Sequence, residues 1–508
     1  MKPVWIAFVC GFFLGGMAGF PLLFCLISVS HQVVARFAVV RRERLAALLL
    51  ETEVDGKLSN EGESQPKCPR LTAAWTAERK GLIMKIAGGV LLVFLLLIPA
   101  FAWADSAGYG YSIDDSYAAT ILGTPQNLRP DTRGEVPVKT MVLETDQKKP
   151  EIFFYDRGLR YTVAFQNRKA PLVFLIAGTG GSSKSARIGA LMANLYHAGF
   201  HVIALPSPTF PNFIIDASTT HVPGNLSDDA NDLYRVMEQI WDQSKGRIEV
   251  SDFLLAGYSL GGTEAAFVAK LDDQYKVFDF RRVLMLNPAV NLYNSVSRIE
   301  WLLDRIPGGP RKIGTFYNRV MEKCTDFYRK GDFVAIDDDF LFAAYQAQLL
   351  NRDEAGGVIA VSFRIGSAGM IFASDVMTHG GYVVPKNRTL KNSDSLDDYF
   401  WTSLHLSFLD YFNEYFFPYF RSRRPGLTKE ELLETLSLGS IEGYLASSTK
   451  IGVITNEDDF ILAPGELDYL RRVFGPRLKV YPRGGHLGNL EYRDNMAFLI
   501  DRLRSSTW

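Results

Sequence analysis

The chain has 508 residues, 47% of them apolar, and carries 55 Lys and Arg against 56 Asp and Glu. Two or three domains with substantial cores fit that length, and a formal net charge of -1 leaves no basic footprint for nucleic acid. Three of the four cysteines (Cys10, Cys25, Cys68) precede the globular part and only Cys324 lies within it, which excludes an internal disulfide framework there.

Val4 to Ile27 is apolar apart from small residues and long enough to span a bilayer. A second apolar stretch, Ile86 to Ala102, comes after Met84-Lys85 and closes in Ala102-Trp103-Ala104-Asp105. Read from Met84, residues 84–104 have the positive start, apolar core and A-x-A cleavage site of a secretory signal peptide, which would make 1–83 an upstream extension. The alternative is two transmembrane helices joined by a loop bearing Arg36, Arg41, Arg42, Arg44, Lys57, Lys67, Arg70, Arg79 and Lys80, held on the cytoplasmic side by its positive charge. Either reading exports the chain beyond Asp105, to the periplasm or to the cell envelope as a membrane-anchored protein.

From Asp105 to about Pro137, Gly, Asp and Pro punctuate the chain without periodicity, and the expectation is an extended surface leader. Met141–Leu143, Ile152–Tyr155 and Tyr161–Phe165 read as short strands. Leu172–Ala177 is a fully apolar strand that runs into Gly178-Thr179-Gly180-Gly181-Ser182-Ser183. A helix then extends to about His197, and a strand at Phe200–Leu205 comes next. Ser227 and two aspartates are expected to cap a helix whose apolar positions are Ala230, Leu233, Met237 and Ile240.

Asp252 to Ala266 reads DFLLAGYSLGGTEAA: a short apolar run, a Gly-x-Ser-x-Gly core and a run of helix formers. This is the pattern of a nucleophile elbow, in which a serine sits on a sharp strand-to-helix turn and flanking glycines admit neighbouring backbone. Ser259 is the candidate nucleophile. Further strands are expected at Val283–Leu286, Ile451–Thr455 and Leu478–Tyr481, with a closing helix marked by Met496, Leu499, Ile500 and Leu503. Apolar strands alternating with amphipathic helices argue for an α/β fold with a mainly parallel sheet covered on both faces.

A serine hydroxyl needs a base to take its proton as it attacks a carbonyl, and an imidazole needs a carboxylate to fix its tautomer. Past the strand at Ile451–Thr455 stand Glu457, Asp458 and Asp459, and past the last strand stands His486 in Gly-Gly-His-Leu-Gly. Over Leu172 to Asn291 and Lys450 to Trp508, this order of serine, acid and histidine resembles the α/β-hydrolase family.

The resemblance implies Ser259 as nucleophile, His486 as general base and Asp459 as the acid, with Asp458 in reserve. Asp459 is preferred because an apolar segment ending in Pro464 comes directly after it. The resemblance also implies an oxyanion hole from the backbone N–H groups of Leu260 and Thr179, and no metal or cofactor. His379, in Met-Thr-His-Gly-Gly-Tyr, is the rival histidine.

The expected organisation is a core of residues 105–291 and 450–508 interrupted by a cap over 292–449. Within the cap, Val358–Ile365 and Met370–Ala373 look strand-like. Asp398 to Phe420 is about half aromatic, which suits packing within the cap or an apolar wall over Ser259 that takes an acyl chain or touches lipid. The expected activity is cleavage of a small-molecule or lipid carboxylic ester or thioester through an acyl-serine. A peptidase or acyltransferase on the same residues, or a non-catalytic envelope binding protein of the same fold, are the other readings.

Overall fold

The computed structural model describes residues 108–508 except 133, 332, 334 and 506. The two apolar N-terminal stretches, with the signal-peptide and transmembrane readings attached to them, lie outside the described residues.

Eight strands form one sheet: β1 (Lys139–Leu143), β2 (Leu159–Ala164), β3 (Ala170–Ile176), β4 (His201–Leu205), β5 (Val250–Tyr258), β6 (Arg282–Leu286), β7 (Ile451–Asn456) and β8 (Leu478–Tyr481). Their order is β1-β2-β4-β3-β5-β6-β7-β8. β1 pairs antiparallel with β2 and β2 antiparallel with β4, and every other pairing is parallel. All residues of β4, β6 and β7 are buried, so helices must cover both faces of the sheet. Helices Leu226–Ser244 and Leu260–Tyr275 pack together, and Leu260–Tyr275 also packs on β3, β5 and β6. Helix Ala186–His197 packs on β4 and helix Arg493–Arg504 on β6. With the elbow leaving the end of central strand β5, this is the α/β-hydrolase fold.

Local chemistry explains the boundaries, including those the sequence reading missed. Helix Leu226–Ser244 starts at Asn225, whose side chain accepts from the N–H groups of Ser227 and Asp228, two residues before the expected cap at Ser227. Ala230, Leu233, Met237 and Ile240 are all fully buried along it. Ile152–Tyr155 is not a strand. Pro150 opens a 3-10 turn at Glu151–Phe153 and leaves Phe154 and Tyr155 exposed.

The surface leader is also overturned for residues 111–124. Tyr111 and Ile113 are buried, and Asp115 caps a helix, Ser116–Leu122, by accepting from the N–H groups of Tyr117 and Ala118.

Between β6 and β7 the regular elements among the described residues are helices, joined by loops such as 380–396 and with one isolated bridge, Asn291 to Ser437. The two strand-like stretches belong to one helix, Arg352–Thr378, opened by a capping box in which Asn351 and Glu354 exchange side-chain and backbone bonds. Length and composition alone would let this helix cross a membrane, but 61% of its apolar window is buried in the protein. It packs on helices Ser116–Leu122, Pro211–Asp216 and Asp397–His405. Such encirclement erases the one-sided apolar stripe on which a helix reading depends. In the aromatic segment, Phe412–Phe416 forms a wide π-helical turn. Pro418 stands two residues later and has no N–H to return to the Glu414 carbonyl.

Candidate active site

Ser259 stands at the end of β5, directly before helix Leu260–Tyr275, with φ 55° and ψ -127°. A non-glycine residue held there is strained, and the neighbours explain why it holds. A side chain at Gly257 would sit 2.1 Å from the Gly261 carbonyl oxygen, and one at Gly261 would sit 2.5 Å from the carbonyl oxygens of Ile176 and Ala177. Only glycine at both positions lets the turn close against β3. Ser259 N–H donates to the Leu286 carbonyl at 2.8 Å, which ties the elbow to β6.

The structure brings three of the sequence-derived residues into one chain of contacts. Ser259 Oγ lies 3.0 Å from His486 Nε2, and His486 Nδ1 lies 3.1 Å from each carboxylate oxygen of Asp459. The Asp459 side chain is fully buried and that of His486 is 13% exposed, so the carboxylate is shielded while the ring reaches solvent. Asn287 donates to Asp459 Oδ2 at 2.8 Å and the Ile461 N–H donates to Oδ1 at 3.3 Å. A carboxylate with this many donors is fixed in orientation as well as stabilised in charge.

The neighbouring acids separate by environment. Glu457 is half-exposed and pairs with Arg471 at 2.6 Å. Asp458 accepts from the Gly485 N–H at 2.9 Å and so holds the histidine loop by its backbone. Burial pushes the Asp458 carboxyl above its usual range, an effect offset in part by bonds from Gly485 and Gly484. Asn456 and Asn489 exchange amide bonds at 2.9 and 2.7 Å, and Asn456 also donates to the Gly485 carbonyl at 2.7 Å. His379 is elsewhere: it takes the left-handed position after helix Arg352–Thr378 and lines a separate small cavity with Lys386 and Arg388.

Thr179 and Leu260 both line an apolar cavity of about 60 Å³. The Leu260 N–H belongs to the first turn of its helix, where backbone donors lack intrahelical partners. Beside it, Gly178 packs against Ser259, since a side chain there would meet Ser259 Cβ at 3.0 Å. Gly180 donates to Thr209 Oγ1 at 2.8 Å and fixes the loop. The rest of the cavity wall comes largely from the segment between β6 and β7: Phe363, Met370, Phe408, Tyr411, Phe412 and Phe416. Among the described residues, no group of three or more His, Cys, Asp and Glu is placed to hold a metal ion.

Sequence reasoning missed Asn287 and Thr120, whose hydroxyl oxygen accepts from the His486 backbone N–H at 2.9 Å. Asn287-Pro288 directly after β6 is a turn signal at the sheet edge where site residues gather, and it could have drawn attention to Asn287. Nothing comparable marks Thr120.

No family model matches the chain, and no curated protein matches it in sequence. Solved structures that it resembles include a putative hydrolase from Legionella pneumophila, 10% identical over 77% of this chain and 95% of that one, TM-score 0.41. Others are the thioesterase domain from the curacin biosynthetic pathway, 11% identical over 73% and 100%, TM-score 0.33, and a Pyrobaculum calidifontis esterase, 14% identical over 77% and 89%, TM-score 0.34. The fold assignment rests on the strand order and the elbow.

Proposed function

We propose that this chain is an exported serine hydrolase that cleaves a carboxylic ester or thioester through an acyl-serine intermediate. The observation that carries the reading is the line of contacts from Ser259 through His486 to Asp459, with separations of 3.0 and 3.1 Å. His486 Nε2 takes the hydroxyl proton as Ser259 Oγ attacks the carbonyl carbon. The same nitrogen returns the proton to the departing alcohol or thiol, and water then repeats the cycle to release the acid. Asp459 accepts from Nδ1–H, keeps Nε2 free as the base and stabilises the imidazolium that forms. The backbone N–H groups of Leu260 and Thr179 receive the oxyanion, each worth about 2.7–4 kcal/mol of barrier by analogy with other oxyanion donors.

The apolar cavity beside these donors supports an acyl group of hydrocarbon character, such as that of a lipid or a small apolar ester. Export is supported by the two apolar stretches before Asp105, which would also bring the protein to a membrane. The test is hydrolysis of p-nitrophenyl esters of increasing acyl length by the purified protein. Turnover of butyryl or longer esters above acetyl, absent in Ser259→Ala, is expected. Peptide cleavage or acyl transfer to an added alcohol in place of hydrolysis would move the reading to another reaction on the same residues.

A further inference from the structure

His486 sits on the loop of residues 482–492 between β8 and helix Arg493–Arg504, a loop braced both by its own bonds, such as Gly488 N–H to the Gly484 carbonyl at 2.9 Å, and from outside. Gly484, Gly485 and Leu487 all have positive φ, at 148°, 55° and 70°. The glycines take such angles freely, whereas Leu487 is held there by its surroundings. Much of the bracing comes from helix Ser116–Leu122 and the residues just after it, far away in sequence.

Thr120 Oγ1 accepts from the His486 N–H at 2.9 Å, and the Thr120 hydroxyl donates to the Ser116 carbonyl at 2.7 Å. The hydroxyl proton is thus committed to the helix, and its oxygen lone pairs are left for the histidine backbone. The Ser116 carbonyl comes so close to Gly485 that a side chain there would sit 2.0 Å from it. Thr124 donates to the Gly488 carbonyl at 2.9 Å. The Tyr117 ring packs edge-on against Phe460 at 5.1 Å, and Phe460 packs edge-on against the His486 ring at 6.3 Å. The same helix also meets helix Arg352–Thr378. Arg352, the first residue of the long cap helix, pairs with Asp115, donates to Ser116 Oγ at 3.3 Å and lies 4.5 Å from the centre of the Tyr117 ring.

We propose that Thr120 is a positioning residue for His486. The inference rests on the hydrolase reading above. Thr120 touches no reacting atom. It sets where the imidazole stands relative to Ser259 Oγ, and a displacement there of about 1 Å costs roughly 100-fold in rate.

The experiment compares full-length wild type, Thr120→Val, Thr120→Ala and Thr120→Ser on a p-nitrophenyl ester, with labelling of wild type by a fluorophosphonate as the control. Valine fills the space and offers no acceptor, alanine leaves room for a water, and serine restores the oxygen. The expected result is a loss carried by kcat with KM little changed, deepest in Thr120→Val and absent in Thr120→Ser. If Thr120→Val does not fold, the contrast between Thr120→Ala and Thr120→Ser carries the same test. A labelled wild type with equal kcat in all the variants, or a loss carried by KM, overturns this inference alone. A wild type that is neither labelled nor active overturns the hydrolase reading and this inference with it.

Discussion

At the scale of single residues, the acids after β7 show how position along one loop assigns different work to one residue type. Asp459 meets the imidazole, Asp458 meets the backbone that carries it, and Glu457 meets a surface arginine. The sequence favoured Asp459 by the apolar segment after it and kept Asp458 in reserve, and the geometry puts only Asp459 against the ring. Asp459→Asn should therefore lower kcat about 10⁴-fold, because the amide presents a donor where Nδ1–H needs an acceptor. Asp458→Asn should cost far less, since an amide oxygen can still accept from Gly485. Steady-state kinetics of the two variants checks this, and equal losses would contradict the assignment. Asn287→Ala should fall between them, since it leaves Asp459 with one donor fewer.

At the scale of elements, the elbow helix carries an unusual load. Glu264, one turn after Leu260, is fully buried, and among the described residues neither of its carboxylate oxygens has a hydrogen-bond partner. Burial, reinforced by the nearby Asp229 carboxylate, pushes its carboxyl well above the ordinary 4.5. Burial likewise raises Asp229, opposed by a bond from the Gly224 N–H and aided by Asp232 and Asp228. A raised folded value means that, between the ordinary value and the folded one, the unfolded chain has lost its proton and the fold still holds it. Unfolding then releases protons, so stability falls as pH rises through that window. The melting temperature should decline from mildly acidic pH upward, and Glu264→Gln should flatten the decline. Melting curves across pH test this, and an unchanged slope in the variant would contradict it.

The same scale shows why some elements were legible and others were not. β3, β4, β6 and β8 announce themselves as short apolar or alternating runs between turn signals, and the glycines of the elbow mark a close approach that backbone sterics demand. Arg352–Thr378 was unreadable as a helix because neighbours surround it and its glycines interrupt the pattern. Gly357 admits Ile306 and Phe316 so closely that a side chain there would sit 2.5 Å from the Ile306 methyl. Ser116–Leu122 was unreadable for a different reason. Seven residues give too little periodicity, and the helix owes its place to contacts with the histidine loop and the cap.

At the scale of the whole molecule, Ser259, Asp459 and His486 were legible as candidates because each follows a strand in a recognisable order, and the fold brings them into contact. The supporting shell was not visible, because Thr120, Asn287 and Asn489 are ordinary polar residues until the fold gathers them. The aromatic segment between β6 and β7 lies between these cases: its density was evident, and its place along the Thr179 and Leu260 cavity required coordinates. Phe416 stands at the cavity wall beside Gly224, where a side chain on the glycine would meet the ring at 3.3 Å. Phe416→Ala should lengthen the cavity and shift the preferred acyl chain upward by several carbons, read from kcat/KM along the ester series. An unchanged profile would remove the cap from the specificity argument.

The central claim is that Ser259 is a nucleophile activated by His486. Labelling of the native protein with a fluorophosphonate, and then mass spectrometry of the modified peptide, tests it most directly. The account predicts a single adduct on Ser259, lost in His486→Ala and kept in His379→Ala. No adduct on wild type, an adduct on another residue, or retention of label in His486→Ala would contradict it.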